Sequence, residues 1–250
     1  MRTSSGSWRR RRRGRVAPAA PDGLALAIDT AGEEAGIALA EAGRPLGQVS
    51  WRTQRNQSRE LLPAIDWLLR HLGRDKREVA ALAVCLGPGS YAGLRVGLST
   101  AKALAFGLEV PIAGVGRLAA EALAPAEASG RRVIALQAAG RAELAWAGYK
   151  WEDERLVEVS PPRLSRLEGV LAFLGPGDLV TGEVDRLDTA AKAALSARGS
   201  RLLGLSAPRA VSVLRLGLER LAAGDADDAQ TLVPLYLRAP AIGPPPPDPR

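Results

Sequence analysis

Cysteine and histidine are almost absent from this 250-residue chain, and their scarcity excludes two kinds of chemistry. Cys85 is the single cysteine, so neither an intramolecular disulfide nor a multi-cysteine metal site can form, and a reducing, cytoplasmic compartment is expected. His71 is the single histidine, and its position near a helix end is explained by the helix dipole alone. The sequence therefore predicts no metal site and no histidine-activated nucleophile.

The chain also lacks an apolar run long enough to span a membrane, and most of it lacks excess charge. Seven of the 34 basic residues (Arg2, Arg9–Arg13 and Arg15) lie in a segment without acids, and the other basic residues balance the 27 acidic ones. The body of the chain therefore has no overall basic signature for nucleic acid. Residues 1–22 are expected to form a disordered basic tail, and residues 239–250 a proline-rich tail.

The remaining sequence alternates short apolar runs with amphipathic segments, the pattern of an α/β protein. Residues 23–125 are interpreted as a first lobe, in which a meander of three strands precedes alternating helices and strands. The strands are expected at 24–30, 35–40, 45–51, 79–86 and 110–115, and the helices at 58–72, 91–107 and 118–123. This order predicts a mixed sheet.

Residues 126–238 have a weaker pattern and are interpreted as a second, divergent lobe. Strands are expected at 132–137, 143–151, 155–159 and 179–182, and helices at 164–173 and 207–223. This order echoes the first lobe, as does the pair LGPGS at Leu86 and LGPGD at Leu174. The echo is too faint to predict an internal repeat.

The segment GPGSYAGLRVG, from Gly87 to Gly97, has the appearance of a phosphate-binding loop. It lacks the lysine of a P-loop, and its glycine spacing differs from that of the dinucleotide fingerprint. Two acids, Glu33 and Glu34, in the turn after the first strand also disfavour a triphosphate. The simpler interpretation is that Gly87, Pro88 and Gly89 form a tight turn and that Ser90 caps the helix after it. The candidate residues for a vestigial nucleotide site are Asp29, Thr30, Gly87, Gly89 and Ser90.

Two glycines four residues apart, Gly93 and Gly97, lie on one face of the helix that follows this turn. Glycine in a helix interior costs about 1 kcal/mol relative to alanine, so a close approach by another backbone is expected there. The neighbour could be the sheet, the preceding helix or a second subunit, and the spacing does not choose among them.

Three segments together resemble one family, the bacterial TsaB family, also called YeaZ. They are LALAIDTAGEEAGIALAEAGR, RNQSRELLPAIDWLL and CLGPGSYAGLRVGLSTAKALAFGLEVPIAGVGRLAAEA, and PLYLR at Pro234–Arg238 extends the likeness. The resemblance implies an actin-like, sugar-kinase or Hsp70-ATPase type of fold (ribonuclease H-like), with two mixed-sheet lobes. It also implies a non-catalytic dimerisation subunit, without a cofactor, of the machinery that forms threonylcarbamoyladenosine at position 37 of tRNA.

The partners that the resemblance implies are a catalytic threonylcarbamoyltransferase paralogue, an accessory ATPase subunit and, indirectly, tRNA, with a homodimer when the chain is alone. Pairing would use the helices at Ser58–Leu72 and Tyr91–Gly107. The expected interface residues are Leu61, Leu62, Ile65, Leu69, Gly93, Gly97, Thr100, Ala101 and Leu104.

Three positions depart from the family's usual pattern, and the differences remove polar groups from the expected cleft. Gln57-Ser58 replaces a His-Ser pair, Tyr91-Ala92 replaces Phe-Thr, and Gln137-Ala138-Ala139-Gly140-Arg141 replaces an Asp-Ala-Arg stretch. Two alternatives stay open: a small-molecule kinase that uses Asp29 and the Gly87 turn, and a homodimeric interaction module without a tRNA role. A peptidase is disfavoured because no credible nucleophile or metal site is present.

Overall fold

The computed structural model describes residues 23–54, 56–140, 142–204 and 208–238. The two tails expected at 1–22 and 239–250 lie outside these residues. None of the described helices combines the length and the apolarity needed to cross a bilayer.

The first of two sheets has five strands in the spatial order β3-β2-β1-β4-β5. The strands are β1 (Leu24–Asp29), β2 (Glu34–Glu41), β3 (Arg44–Arg52), β4 (Val79–Gly87) and β5 (Ile112–Gly116). β1, β2 and β3 form an antiparallel meander, while β4 lies parallel to β1 and β5 parallel to β4. The sheet is therefore mixed, as the strand order in the sequence predicts.

The second sheet repeats this topology with five later strands. They are β6 (Val133–Ala138), β7 (Leu144–Glu152), β8 (Arg155–Ser165), β9 (Leu179–Gly182) and β10 (Arg201–Leu202), in the spatial order β10-β9-β6-β7-β8. The pairing directions match those of the first sheet strand for strand. The expected fold class, two mixed-sheet lobes of actin-like type, is confirmed, and the faint echo in the sequence corresponds to a real structural repeat.

Six α-helices cover the sheets within the described residues. They are α1 (Gln57–His71), α2 (Tyr91–Leu108), α3 (Arg117–Ser129), α4 (Leu167–Phe173), α5 (Thr189–Ala197) and α6 (Ala210–Ala222). The sequence pattern did not predict α5, and it predicted a shorter α3. β8 extends to Ser165, so α4 begins later than expected.

The first sheet packs helices on both faces because large and small residues alternate along its strands. Leu24, Leu26 and Ile28 of β1 face the side covered by α1 and α2. Ala25 and Ala27 face the other side, which α6 covers. α6 lies in the range 126–238, yet it packs on β1, β4 and β5 of the first sheet. The lobe boundary expected at residue 125 therefore remains a proposal, because a helix from beyond that boundary belongs to the packing of the first sheet.

The close neighbour of the two α2 glycines is the end of β1. A Cβ atom at Gly93 would collide with the backbone carbonyl oxygen of Thr30, and one at Gly97 would collide with the Thr30 hydroxyl. Among the three neighbours that the spacing left open, the structure selects the sheet. The interpretation that these glycines leave room for a partner's helix is wrong, because the chain's own backbone takes up the space.

Replacing Gly97 with alanine should destabilise the protein by about 1–3 kcal/mol, because the added methyl group overpacks against Thr30. Gly107 is the matched control in the same helix, since nothing lies within 4 Å of a Cβ built there. Gly107→Ala should be neutral or stabilising by up to about 1 kcal/mol. Urea unfolding of both variants measures the difference. Equal effects would show that α2 does not depend on this close approach.

Candidate functional site

A cleft of about 490 Å³ lies between the two lobes. The turn after β1 and the Pro88–Ser90 turn line it on one side, and residues at the end of β6 line it on the other. Its volume is in the range of small-molecule sites, and it lies at the carboxyl ends of parallel strands, where α/β folds usually bind ligands.

Asp29 ends β1 beneath this cleft, and its carboxylate is fully engaged in hydrogen bonds. Oδ1 accepts a hydrogen bond from the backbone N–H of Ala31 at 2.9 Å. Oδ2 accepts from Nε of Arg209 at 2.6 Å, and both side chains are buried. A hydrated metal ion beside Asp29 would have to displace this guanidinium group. The arginine therefore takes the place that such a cation would need.

The remaining nitrogens of Arg209 also have partners. Nη1 donates to Oε1 of Glu121 at 3.1 Å, and Nη2 donates to the backbone oxygen of Glu34 at 3.0 Å. Burial lowers the pKa of Arg209, but attraction by Asp29 and Glu121 outweighs it and raises the pKa above its ordinary value. The buried guanidinium is thus permanently charged and joins β1, β2 and α3.

The five residues of the expected nucleotide site do not form one surface. Gly89 and Ser90 line the cleft, whereas Asp29, Thr30 and Gly87 do not. Thr30 is buried, and its hydroxyl donates to the Gly93 carbonyl at 2.7 Å. The Ser90 hydroxyl accepts from the Gly93 N–H at 3.3 Å, which makes it the cap of α2. Nucleotide binding by this set remains a prediction, and the side chains of Asp29, Thr30 and Ser90 are already engaged in hydrogen bonds within the fold.

Ion pairs span the cleft and engage most of the charged side chains in its lining. Arg186 from the second lobe lies 2.6 Å from Glu33, and Arg117 donates to Glu183 at 3.0 Å. Paired arginines cannot neutralise a polyphosphate without losing these partners. Among the described residues, no group of three or more histidine, cysteine, aspartate or glutamate side chains is arranged to hold a metal ion.

Most of the expected interface residues on α1 and α2 face the chain's own core. Leu62 is 55% exposed, while Thr100 and Leu104 are half-buried. The buried members are Leu61, Ile65, Leu69, Gly93, Gly97 and Ala101. These six are unavailable to a partner in this conformation, because the apolar stripe of an amphipathic helix marks the side that packs inward.

The outward face of these two helices presents three aromatic residues that the stripe did not include. Phe106 is 78% exposed, Trp67 54% and Tyr91 48%. Trp67 stacks on His71 with ring centroids 4.9 Å apart. The sequence could have identified these residues, because they are large aromatic side chains at helix positions outside the core-facing stripe.

Comparison with known proteins gives the class of protein and then its family. The fold and cleft define a two-lobed α/β protein of actin-like topology. The profile of the TsaD family, described as tRNA N6-adenosine threonylcarbamoyltransferase, matches residues 47–223. YeaZ from Pseudomonas aeruginosa superimposes with a TM-score of 0.73 at 27% identity, and the match covers 86% of this chain and 100% of that one.

Full-length relatives agree with this assignment. The chain is 30% identical over 225 residues to the tRNA threonylcarbamoyladenosine biosynthesis protein TsaB of Escherichia coli strain K12, across 85% of this chain and 94% of that protein. It is 32% identical over 224 residues to the Bacillus subtilis strain 168 protein of the same name, across 85% and 93%. The chain belongs to the TsaB (YeaZ) family.

Arg209→Met should lower the free energy of unfolding by about 3–5 kcal/mol, because it leaves the buried Asp29 carboxylate without its cation and removes one of the partners of Glu121. Arg215→Met is the control in the same helix, since the Arg215–Glu127 pair is partly exposed and such pairs contribute about 1 kcal/mol or less. Chemical denaturation at neutral pH compares the two variants. Similar losses for both would contradict a structural role for the buried arginine.

The Arg186–Glu33 pair across the cleft can be followed through the pKa of Glu33. Hydrogen bonding and attraction by Arg186 lower this pKa from its ordinary value of 4.5. Stabilisation by the pair is therefore fully present above pH 4.5 and is lost as the pH falls through the lowered pKa.

In Arg186→Gln, the pKa of Glu33 should rise towards 4.5, as NMR titration of its carboxyl carbon would record. Arg52→Gln should have a smaller effect, because Arg52 lies 3.4 Å from Glu33 and Arg186 lies at 2.6 Å. The interlobe pair would be refuted by a Glu33 pKa that responds only to Arg52.

Proposed function

We propose that this chain is a non-catalytic subunit of the machinery that forms threonylcarbamoyladenosine at position 37 of tRNA, and that it acts in the cytoplasm. Relatives that match 85% of the chain are named for the biosynthesis of this modified nucleoside. The chain spans more than nine tenths of each of them, which supports transfer of their general role.

The observation that carries the non-catalytic assignment is the bond between Arg209 and Asp29. In nucleotide-binding α/β folds, a carboxylate at the end of a strand can hold a hydrated metal ion beside phosphates. Here that carboxylate is buried and paired with an arginine at 2.6 Å. Cation-assisted phosphate chemistry at this position would need the core of the protein to open.

The proposed partner is the catalytic threonylcarbamoyltransferase paralogue. That family's profile matches residues 47–223, so the two proteins would be related chains that pair through equivalent surfaces. An accessory ATPase subunit completes the proposed assembly, and contact with tRNA is indirect.

The proposed docking surface is the outward face of α1 and α2, with Leu62, Trp67 and Phe106 as its apolar anchors. The two helices contact each other, and the Gln57 side chain at the start of α1 lies beside Gly93 near the start of α2. Their first turns therefore lie side by side, and each helix carries exposed apolar residues outside its buried face. Exposed aromatic residues on adjoining helices are typical of protein interfaces.

Phe106→Glu should weaken binding to the catalytic paralogue about tenfold or more, because it places a charge in an apolar contact. Val159→Glu makes the same kind of change at a 41%-exposed position of β8 in the second lobe and should leave binding unchanged. Titration calorimetry with the purified paralogue measures both. Gly97→Leu is a poor probe of this surface, since its side chain would collide with Thr30.

Equal binding by both variants would contradict the α1–α2 surface. If the chain does not bind the paralogue but forms a dimer that Phe106→Glu disrupts, as measured by light scattering, the homodimeric module is the correct function. ATP binding that is lost in Asp29→Ala would instead favour the small-molecule kinase.

A further inference from the structure

The segment after α6, residues 225–238, forms a strap that begins at the edge of the first sheet. Asp227 anchors its start. The backbone N–H of Asp227 donates to the Ile112 carbonyl at 2.9 Å, and its carboxylate accepts from the Gly114 N–H at 2.6 Å and from Arg220 at 2.7 Å. The strap ends in PLYLR, a motif that the proposed docking surface on α1 and α2 does not explain.

The middle of the strap runs along α2. Nζ of Lys102 donates to the backbone oxygens of Gln230 and Leu232, each at 3.1 Å. The backbone N–H of Leu235 donates to the Leu86 carbonyl, at the end of β4, at 2.7 Å. These contacts lead the strap from the middle of α2 towards its N-terminus and the mouth of the cleft.

The end of the strap touches both lobes. Tyr236 stacks on Tyr91, the first residue of α2, with ring centroids 5.4 Å apart. Arg238 pairs with Glu143, which lies between β6 and β7 of the second lobe. All four residues from 235 to 238 line the cleft. The strap therefore starts on the first lobe and closes onto the second.

The Arg238–Glu143 contact on the second lobe should break more readily than the Asp227 contacts that anchor the strap. The Arg238 and Glu143 side chains are 59% and 38% exposed, and exposed ion pairs contribute little stability. The closed cleft also has a cost. Gln137 Oε1 is buried in the cleft lining without a hydrogen-bond partner among the described residues, and an unpaired buried polar atom disfavours the state that contains it.

We propose that the strap is a latch that couples the α2 surface to closure of the cleft, through Tyr236 on one side and Arg238 on the other. This inference rests on the proposed function, because Tyr91 belongs both to the proposed docking face and to the strap's seat. A partner that covers Tyr91 and Tyr236 holds the strap in place, so docking and cleft closure stabilise each other.

Spin labels can report the separation of the lobes, because the only native cysteine, Cys85, is buried. Labels at Gln48→Cys in β3 and Ala193→Cys in α5 occupy exposed positions on the two lobes. Arg238→Glu should shift or broaden the distance distribution between them. The charge-swapped pair Glu143→Arg with Arg238→Glu should restore it. Val233→Ala, an exposed strap substitution outside the cleft lining, should leave it unchanged.

The same variants, without labels, test the coupling by calorimetry with the catalytic paralogue. Arg238→Glu should weaken binding about fivefold, near the lower end of allosteric couplings, and the charge swap should recover it. Addition of the paralogue should narrow the distance distribution of the labelled wild-type chain.

The outcomes separate the two proposals. If the wild-type chain does not bind the paralogue, the proposed function fails, while the distance measurement still tests the latch. If wild type binds and Arg238→Glu changes neither distance nor affinity, the latch is refuted. A changed distance with unchanged affinity refutes the coupling to the partner.

Discussion

One buried arginine determines both how the lobes meet and what the cleft can do. Arg209 reaches the carboxylate of Asp29, the carboxylate of Glu121 and the backbone oxygen of Glu34. Desolvation of these charges is expensive, and it is tolerated because each of the three guanidinium nitrogens donates to an acceptor. α3 carries Glu121 and also packs on the second sheet, so the same contacts tie the first sheet to the base of the second lobe. The interaction that secures the junction is also the one that neutralises the carboxylate beneath the cleft.

Glycine residues allow the helices to approach the first sheet closely at this junction. Thr30 fits beneath α2 because Gly93 and Gly97 have no side chain, and the Thr30 hydroxyl binds the Gly93 carbonyl. On the opposite face, Gly217 of α6 packs directly on Ala83 of β4. Two helices thus approach the same sheet from opposite sides, and α6 holds Arg209 at its start. The glycine-rich segment after β4 therefore serves packing, although its composition first suggests a phosphate-binding loop.

Local patterns predict most of the fold but only part of the site. β1, β2, β4 and β5 are short, mostly apolar runs, and β3 follows a tight turn at Ala42-Gly43. The order of these strands and of the helices was enough to predict a mixed sheet. α5 was missed because it is only 9 residues long, is rich in alanine and buries only Leu195. Asp29 was identified from its position, but its partner lies 180 residues away and has no local signature. The apolar stripes of α1 and α2 were assigned to a partner interface, but most of their residues pack in the core, and the proposed anchors Trp67 and Phe106 lie outside those stripes.

The central claim is that the chain supports formation of the modified nucleoside without doing chemistry in its own cleft. Its most direct test is the threonylcarbamoyladenosine content of tRNA in cells depleted of this protein. The cells are complemented either by the wild type or by a double variant, Glu33→Gln with Gln137→Met, which alters polar groups of the cleft. The account predicts that the nucleoside falls on depletion and that both proteins restore it. An unchanged level on depletion, or failure of a folded, partner-binding cleft variant, would contradict it.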